Sequence, residues 1–437
     1  AFAALPDPSS RKPVVLICHT IKGKGVGFME GGREWHLGNL VGPDYDRVMA
    51  ELADDLPLTP RPAPGPPRRS GGRGSLPDAR RTPLARAPGE GSGVRAFNSA
   101  HPLSRTWTEA EQAADLRHPD SWSLITNHRL STQAVAGQVL AELAEDRAEI
   151  AVLTADLKYS NRLSDFAALW PERFYQVGIA EQNMVSIAAG MAAAGLIPYA
   201  GTFAAYIALL GAEQVRTDVT YPNLPVRFLA HHAGFMLGFY GSSHHALEDL
   251  AFMRTLAGMT VICPADAPTI RAAIEATVDH PGPIYFRLGR GREPVVYDTP
   301  PAFVLGKAIP LRDGADLTII ATGSTVHPAM LAADALATEG IRARLLDMHT
   351  VAPLDKSAIL AAARETGGIL TVEEHNVTGG LGGAVAEVLA DAGIGIRFKR
   401  HGVPDEYVPV VPPLALSAHY RLDGPGIAAV GRKCLSS

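Results

Sequence analysis

The distribution of apolar residues along the chain predicts a first set of buried strands. Short apolar runs that give way to polar residues occur at 149–156, 174–177, 226–230, 260–263 and 283–286. Apolar runs of roughly four to eight residues, separated by stretches with helical spacing, are typical of parallel strands joined by helices. We therefore place a doubly wound α/β domain at residues 121–300.

A second set of strands is predicted at residues 316–323, 341–347 and 368–375. The last of these leads into a glycine-rich segment, 376–384, whose glycine spacing does not match the dinucleotide-binding fingerprint. We assign residues 301–437 to a second α/β domain. The predicted fold class is α/β, with two doubly wound, mainly parallel sheets.

Helix and strand ends in the first domain carry further signals. Ser131 can cap a helix whose apolar face is formed by Val135, Val139 and Leu143. Polar residues gather where the predicted strands end, which is the edge at which open α/β sheets bind ligands. We therefore expect a functional site at the carboxyl ends of the strands.

Before the first domain the pattern changes twice. Residues 13–18 form a short apolar run followed by a loop rich in Gly and Lys, and we treat residues 1–54 as the remnant of a further domain. Residues 55–120 are rich in Pro, Arg and Gly with almost no apolar periodicity. Such a segment cannot bury enough surface to offset the entropy of ordering, so we predict a disordered linker.

Composition and charge fit a soluble globular protein. The 437 residues are 46% hydrophobic with a net charge of -5, which argues against a nucleic-acid or membrane surface partner. An uncharged stretch at 184–212 is divided by glycines and Pro198 into segments too short for a bilayer of about 30 Å. Cys18, Cys263 and Cys434 are interpreted as buried thiols of a cytoplasmic protein.

The segment from Tyr175 to Ser186 carries the most informative chemistry. It predicts the end of a strand, a turn and a helix that begins on Glu181. This places a carboxylate at the edge where ligands bind. The alternative is a structural glutamate favoured by the helix dipole.

The pattern GIAEQNM followed by GMAAAGLIPYAGTFAAY resembles the pyrimidine-binding domain of thiamine diphosphate enzymes, and transketolases most closely. The resemblance implies that Glu181 hydrogen-bonds N1′ of the cofactor's aminopyrimidine and so promotes loss of the thiazolium C2 proton. It also implies that Phe203 and Tyr206 pack on the pyrimidine ring. Their spacing equally fits two core residues of one helix.

An N-terminal segment carries a second part of the resemblance. HTIKGKGVGFME at 19–30, with Trp35 and His36, resembles the closing segment of the transketolase diphosphate-binding domain. The resemblance implies that His36 reaches the diphosphate and the substrate; an exposed loop with an incidental histidine is the alternative. The family's Gly-Asp-Gly metal motif is absent from the sequence. We therefore expect the magnesium ligands outside this chain, on a missing segment or a companion chain.

The resemblance assigns residues on the substrate side of the site. Gly241-Ser-Ser-His-His245 stands where transketolases have Gly-Pro-Thr-His-Gln, which makes His244 a catalytic candidate that binds the donor. His232 matches a histidine that faces the acceptor. The neighbouring His231 and His245 are expected to stand beside the functional residues.

Three further residues are candidates by the same resemblance. Arg287 corresponds to an arginine that grips the substrate phosphate, with a surface ion pair as the alternative. Asp156 matches the acid of the family's (S/G)ADL..SN motif and is assigned to cofactor binding. Ser160, in the same motif, is assigned to substrate binding.

Two departures from the family pattern concern the substrate. Tyr240 stands where sugar-phosphate transketolases usually have an acid that reads a substrate hydroxyl. The run 127–131 lacks the arginine expected at the entry to the domain. These changes predict an altered donor or acceptor.

The segment EEHNVTGGLGGAVAEVL resembles the transketolase C-terminal domain, for which we expect structural and interface roles. The resemblance implies transfer of a two-carbon ketol unit from a ketose to an aldose through a thiamine diphosphate carbanion and enamine. It also implies a homodimer, or a heterotetramer with a chain that carries the diphosphate-binding domain. The alternatives are a carboligase like 1-deoxyxylulose-5-phosphate synthase and a noncatalytic dimerising partner.

Overall fold

The computed structural model describes residues 131–290 and 293–436. The predicted domain remnant at 1–54, the predicted linker at 55–120, and His36 lie outside the described residues. The described residues fall within one compact unit of the chain. They form two sheets with helices packed on their faces.

Five of the first six strands follow the predicted apolar runs, and the third lies in the uncharged stretch 184–212. They are β1 (Ile150–Thr154), β2 (Phe174–Gln176), β3 (Ile197–Phe203), β4 (Arg227–His231), β5 (Thr260–Ile262) and β6 (Ile284–Arg287). The remaining strands are β7 (Ile309–Arg312), β8 (Leu317–Ala321), β9 (Ala343–Asp347), β10 (Thr350–Ala352), β11 (Gly368–Asn376) and β12 (Arg397–Val403). The strand predictions are therefore confirmed to within a few residues at each end.

The helices alternate with these strands. They are α1 (Thr132–Leu143), α2 (Ser164–Leu169), α3 (Glu181–Ala193), α4 (Ala212–Gln214), α5 (Asp249–Thr255), α6 (Ala267–Thr277), α7 (Val326–Thr338), α8 (Lys356–Glu365), α9 (Leu381–Asp391), α10 (Pro413–His419) and α11 (Gly424–Ser436). Two π-helical turns, Tyr206–Leu210 and Val215–Thr220, flank α4. Ser131 caps α1 as predicted, since its hydroxyl accepts a hydrogen bond from the Ala134 amide at 3.1 Å.

The first sheet has seven strands in the order β10-β5-β6-β4-β3-β1-β2. All of its neighbours are parallel except β10, which runs antiparallel to β5. The second sheet has the order β12-β11-β8-β9-β7 and is parallel except for β7. The predicted fold class, with two doubly wound and mainly parallel sheets, is confirmed.

One strand crosses the predicted division of the chain. β10 lies in the sequence of the second domain, yet Thr350 pairs with Ile262 at the edge of the first sheet. Its apolar run is only three residues long, which is too short to show a periodic pattern. The sequence pattern therefore did not reveal that the second domain completes the first sheet.

Hydrophobic clusters cover both faces of the first sheet. In β4, Phe228 packs with Met184 of α3, whereas its neighbour Leu229 packs with the cluster that includes Leu140 of α1. Successive residues of a strand point to opposite faces, so these two clusters are separated by the sheet. The sheet is thus the buried middle layer between two helical layers.

The order of strands defines a switch point between β1 and β3. The chain leaves β1 for β2 on one side, and it leaves β3 for β4 on the other. Helix α3 connects β2 back to β3 across β1. In open α/β sheets the crevice at the carboxyl ends of two such strands is where ligands bind.

The segment between 184 and 212 forms a helix, a strand and further helical turns, as its glycines and proline predicted. Among the described residues, no helix combines the length and the apolar character that crossing a bilayer requires. Cys263 and Cys434 are buried and form no disulfide within the described residues, whereas Cys18 lies outside them.

Candidate active site

Glu181 lies at the switch-point crevice. It is the first residue of α3, as predicted, and is only 6% exposed. Its Oε1 accepts a hydrogen bond from the Thr202 hydroxyl on β3 at 3.3 Å. The helix N-terminus favours a negative charge at this position. The turn after β2 therefore presents a buried carboxylate beside the carboxyl end of β3.

Two aromatic side chains border this carboxylate. Phe203 ends β3 and Tyr206 begins a π-helical turn, with ring centroids 5.4 Å apart. The alternative that both are core residues of one helix is therefore wrong, because Phe203 belongs to a strand. Burial and the negative charge of Glu181 raise the pKa of Tyr206, which places its hydroxyl near the carboxylate.

His244 meets Tyr206 across the crevice. The Tyr206 hydroxyl lies 2.9 Å from Nε2 of His244, and the Ser243 hydroxyl lies 2.9 Å from Nδ1. Tyr240 stacks on the imidazole with centroids 5.0 Å apart. Burial lowers the pKa of His244. The neutral ring is therefore held by hydroxyl groups at both nitrogens.

His232 lies on the other side of Phe203. Its ring centroid is 4.6 Å from that of Phe203, and its backbone has a left-handed φ of 59°. Such a φ is uncommon outside glycine and is often found at functional sites. Burial, followed by the positive charges of neighbours that include Arg290, lowers the pKa of His232 well below its usual value. His232 is therefore a neutral imidazole.

Arg287 requires a correction to the sequence interpretation. Its Nε donates to Asp249 at 2.8 Å, and its Nη2 donates to the carbonyls of Ala246 and Glu374 at 3.0 and 2.9 Å. The side chains of Arg287 and Asp249 are 6% and 0% exposed. The ion pair is thus internal, so the surface-pair alternative is wrong, and the assignment of Arg287 to a substrate phosphate remains a prediction.

Arg290 is a second arginine in this region that the sequence reasoning did not consider. It lies three residues beyond Arg287, is half-buried, and stacks over the Phe239 ring at 5.0 Å. Its charge acts on His232, so it lies close to the histidines. The run FRLGR contains both Arg287 and Arg290, so the sequence offered two candidate arginines. Only the tertiary fold shows that Arg287 is internal and that Arg290 lies near the histidines.

Asp156 and Ser160 lie in the loop that follows β1. Asp156 has a left-handed φ of 60°, and its amide donates to the side-chain oxygen of Gln176 at 2.5 Å. Both residues are half-buried. The loop therefore stands at the switch-point crevice, and the roles assigned to these two residues remain predictions.

Asn161 and His231 were not chosen from the sequence, yet both are fully buried at this edge. A Cβ placed on Gly201 would lie 3.3 Å from Nδ2 of Asn161 and 3.7 Å from Nε2 of His231. Within the described part of the chain, the amide atoms and both ring nitrogens have no hydrogen-bond partner. Because unpaired buried polar groups are costly, their arrangement suits a ligand or water.

Metal ligands are a separate matter. Across residues 131–290 and 293–436, no group of three or more His, Cys, Asp and Glu side chains is placed to hold a metal ion. The described site offers a buried carboxylate, aromatic rings and neutral histidines. These residues suit an aromatic heterocycle with a hydrogen-bonding ring nitrogen.

Comparison with known proteins identifies the family. The model of the transketolase pyrimidine-binding domain matches residues 128–294, and that of the transketolase C-terminal domain matches residues 306–427. The chain is 41% identical over 304 residues to one of the subunits of apulose-4-phosphate transketolase from Phocaeicola vulgatus, covering 69% of this chain and 97% of that protein. The chain belongs to the transketolase family.

Two further transketolase-family proteins show the range of relatives. 1-Deoxy-D-xylulose-5-phosphate synthase 1 of Geobacter sulfurreducens is 40% identical over 314 residues, which is 70% of this chain and 48% of that enzyme. A solved split-gene transketolase, an inactive β4 tetramer, is 41% identical with a TM-score of 0.66. That match covers 70% of this chain and 99% of the solved chain. Enzymes of the transketolase family depend on thiamine diphosphate, and Glu181, Phe203 and Tyr206 fit the pyrimidine end of that cofactor.

Proposed function

We propose that this chain is the pyrimidine-binding subunit of a transketolase that transfers a ketol unit from a ketose to an aldose. The observation that carries the proposal is the buried carboxylate of Glu181 at the switch point. Tyr206 lies near it, and the Tyr206 hydroxyl is 2.9 Å from Nε2 of His244. A carboxylate and neutral imidazoles in one dry crevice suit proton transfer next to a bound heterocycle.

Each residue has a distinct task in this proposal. Glu181 would hold the aminopyrimidine of thiamine diphosphate, and Phe203 and Tyr206 would pack on its ring. When bound, the cofactor supplies the nucleophilic carbon that this chain's side chains lack. His232 is neutral, so it would offer one donor and one acceptor nitrogen to substrate oxygens. His244 would bind the donor by exchanging the hydroxyl of Tyr206 or Ser243 for a substrate oxygen.

We infer that a companion chain supplies the diphosphate- and magnesium-binding part. The inference is supported by two similarities: to a single subunit of the Phocaeicola vulgatus transketolase, over 97% of its length, and to a split-gene transketolase chain, over 99% of its length. The described residues also lack a cluster suited to a metal. The active assembly would be a homodimer, or a heterotetramer with a chain that carries the diphosphate-binding domain. The chain alone would be inactive.

The substrate proposed is an anionic sugar. The relatives named for apulose 4-phosphate and 1-deoxy-D-xylulose 5-phosphate are each associated with a phosphorylated compound. We propose that Arg290, which stacks over Phe239 and acts electrostatically on His232, binds such an anion in this chain. Tyr240, 38% exposed and stacked on His244, replaces the family's acid and would favour a donor or acceptor other than ordinary pentose phosphates.

The test is titration of the purified chain with thiamine diphosphate and magnesium, alone and with the companion chain. We expect no binding by the chain alone, and binding with ketose cleavage in the mixture. Tight magnesium-dependent binding by the chain alone would overturn the proposed division of the site.

A second candidate activity is carboligation by a synthase of the 1-deoxy-D-xylulose-5-phosphate type, favoured by the 40% identity over 314 residues. Pyruvate decarboxylation without ketose cleavage in the mixed complex would support this candidate. A noncatalytic dimerising role is the remaining possibility. Replacement of Glu181 by Ala without loss of activity in the mixed complex would support that role.

A further inference from the structure

The segment that carries both site histidines packs against the second domain. We call residues 232–246 the histidine loop. Gly234 and Ala246 close its base through two backbone hydrogen bonds of 3.0 and 2.8 Å. The Phe235 side chain lies in the hydrophobic cluster of the second sheet, with its ring 6.3 Å from that of Tyr420. The loop thus belongs by sequence to the first domain and packs against both, with Ala233 and Ala246 in the cluster of the first sheet and Phe235 in that of the second.

Glu374, near the carboxyl end of β11, holds the start of the histidine loop. Its Oε1 accepts a hydrogen bond from the Phe235 amide at 2.8 Å, and its Oε2 accepts one from the Ser324 hydroxyl at 2.7 Å. A Cβ at Gly234 would lie 2.1 Å from Oε1 of Glu374, and Gly234 has a φ of +65°. This close approach requires glycine and shows how tightly the carboxylate fits the loop.

The end of the histidine loop is tied to the same strand. Nη2 of Arg287 donates to the carbonyl of Ala246 and also to the backbone carbonyl of Glu374. Asp249 pairs with this guanidinium through both carboxylate oxygens. Both ends of the loop are therefore linked to Glu374, the start directly by its side chain and the end through Arg287 to its backbone carbonyl.

We propose that Glu374 is a positioning residue through which the second domain sets the placement of His232 and His244 in the active site. The catalytic part of this inference rests on the proposed ketol transfer. His244 meets Tyr206 at 2.9 Å only if the loop keeps its present position. Displacements of about 1 Å in an active site can cost 100-fold in rate.

The bond from Phe235 is not easily replaced. Glu374 is 7% exposed and Phe235 is 2% exposed, so water does not readily take the place of the carboxylate. An amide left unpaired in such a site is destabilising. The free energy falls if the loop moves until water can hydrogen-bond to the amide. Removing the carboxylate should therefore loosen the loop.

Hydrogen exchange on the full chain tests the positioning itself. In Glu374→Leu we expect peptides within residues 235–246 to exchange about tenfold faster or more. Ser324→Ala removes the other bond of the same carboxylate and should leave the loop unchanged. Asp355→Ala removes the carboxylate that accepts from the Ala358 amide at the start of α8. It should destabilise the second domain without faster exchange in the loop.

Kinetics of the complex with the companion chain test the consequence. Glu374→Leu should lower kcat by about 10- to 100-fold while the KM for thiamine diphosphate stays near the parental value. Glu374→Gln keeps an oxygen for the Phe235 amide and should restore most of kcat. Asp355→Ala should retain the parental kcat.

Two results would overturn the proposal: parental loop exchange in Glu374→Leu, or faster exchange with a parental kcat. An inactive parental complex would instead refute the proposed function. Exchange on the chain alone still decides whether Glu374 holds the loop, so the two failures are distinguishable.

Discussion

At the scale of single residues, the site is defined by buried polar groups that have few or no hydrogen-bond partners within the described part of the protein. Glu181 has one hydrogen-bond donor at 3.3 Å, and Asn161 and His231 have none within the described part of the chain. Folded proteins seldom leave such groups unpaired unless water or a ligand completes them. The switch-point crevice therefore presents buried polar groups that water or a polar ligand can complete.

The first prediction concerns Glu181. Replacement by Gln keeps the size of the side chain but removes the carboxylate, so kcat in the mixed complex should fall by about 100-fold or more. The thermal midpoint should change little, because Thr202 can still donate to the amide oxygen. Glu213→Gln, at an exposed first-turn position, serves as the control. A parental kcat in the Glu181 variant would remove this residue from the chemistry.

The second prediction separates the two arginines. Arg287→Met leaves the buried carboxylate of Asp249 without its cation, with only the Tyr285 hydroxyl still donating to it, and should cost about 3–5 kcal/mol in the free energy of unfolding. Arg290→Met should leave stability nearly unchanged but raise the KM for a phosphorylated substrate about tenfold. Denaturation and steady-state kinetics check both. The opposite pattern, with Arg287→Met stable and impaired in KM, would restore the original assignment.

At the scale of elements, helix α1 sets the position of the loop after β1. Gly137 of α1 packs so closely that a Cβ there would lie 2.4 Å from the carbonyl oxygen of Arg162. That loop also carries Ser160 and Asn161. The local pattern predicted the helix and its cap at Ser131, but it did not show which neighbour the helix touches.

The third prediction uses this contact. Alanine normally stabilises a helix by about 1 kcal/mol relative to glycine. Gly137→Ala should instead destabilise by roughly 1–3 kcal/mol, because the Arg162 carbonyl has to move. Gly190→Ala in α3 is the matched control, since a Cβ there meets no atom within 4 Å. Thermal denaturation distinguishes them, and equal stabilisation by both variants would contradict the contact.

Elements also show how far the sequence pattern reaches. The long apolar runs, the start of α3 at Glu181 and the cap at Ser131 were predictable because they depend on neighbours in the chain. The β10 strand was not predictable, since its three residues carry no periodicity. The sequence did not decide whether Phe203 belongs to a helix or a strand, because its spacing from Tyr206 fits both.

At the scale of the whole molecule, the second domain contributes a strand to the first sheet and a buried acid to the histidine loop. Glu374 contacts the histidine loop, and β10 completes the first sheet. Asp347 is fully buried at the end of β9 and accepts from the Tyr297 hydroxyl at 2.8 Å. Burial raises the pKa of Asp347 to about 7.

The fourth prediction follows from Asp347. Its folded pKa is above the unfolded value, so its contribution to stability is present below about pH 4 and is lost as pH rises through about 7. We expect the thermal midpoint to decrease as the pH is raised from 5 to 8. This group should lower the free energy of unfolding by an amount on the order of 2 kcal/mol over that range. Asp347→Asn should flatten that slope, whereas the exposed Asp391→Asn should not. An unchanged slope in Asp347→Asn would show that the acid does not titrate in this range.

The sequence alone determined the α/β class, the strand–turn–helix that carries Glu181 and the family, because each depends on local periodicity or on motif spacing along the chain. The tertiary structure decided that Arg287 is internal and that Arg290 lies near the site. It also decided that the histidine loop is held by Glu374, which is 139 positions from Phe235 in the chain. Contacts between such distant segments depend on how elements pack, and no local pattern of residues records them.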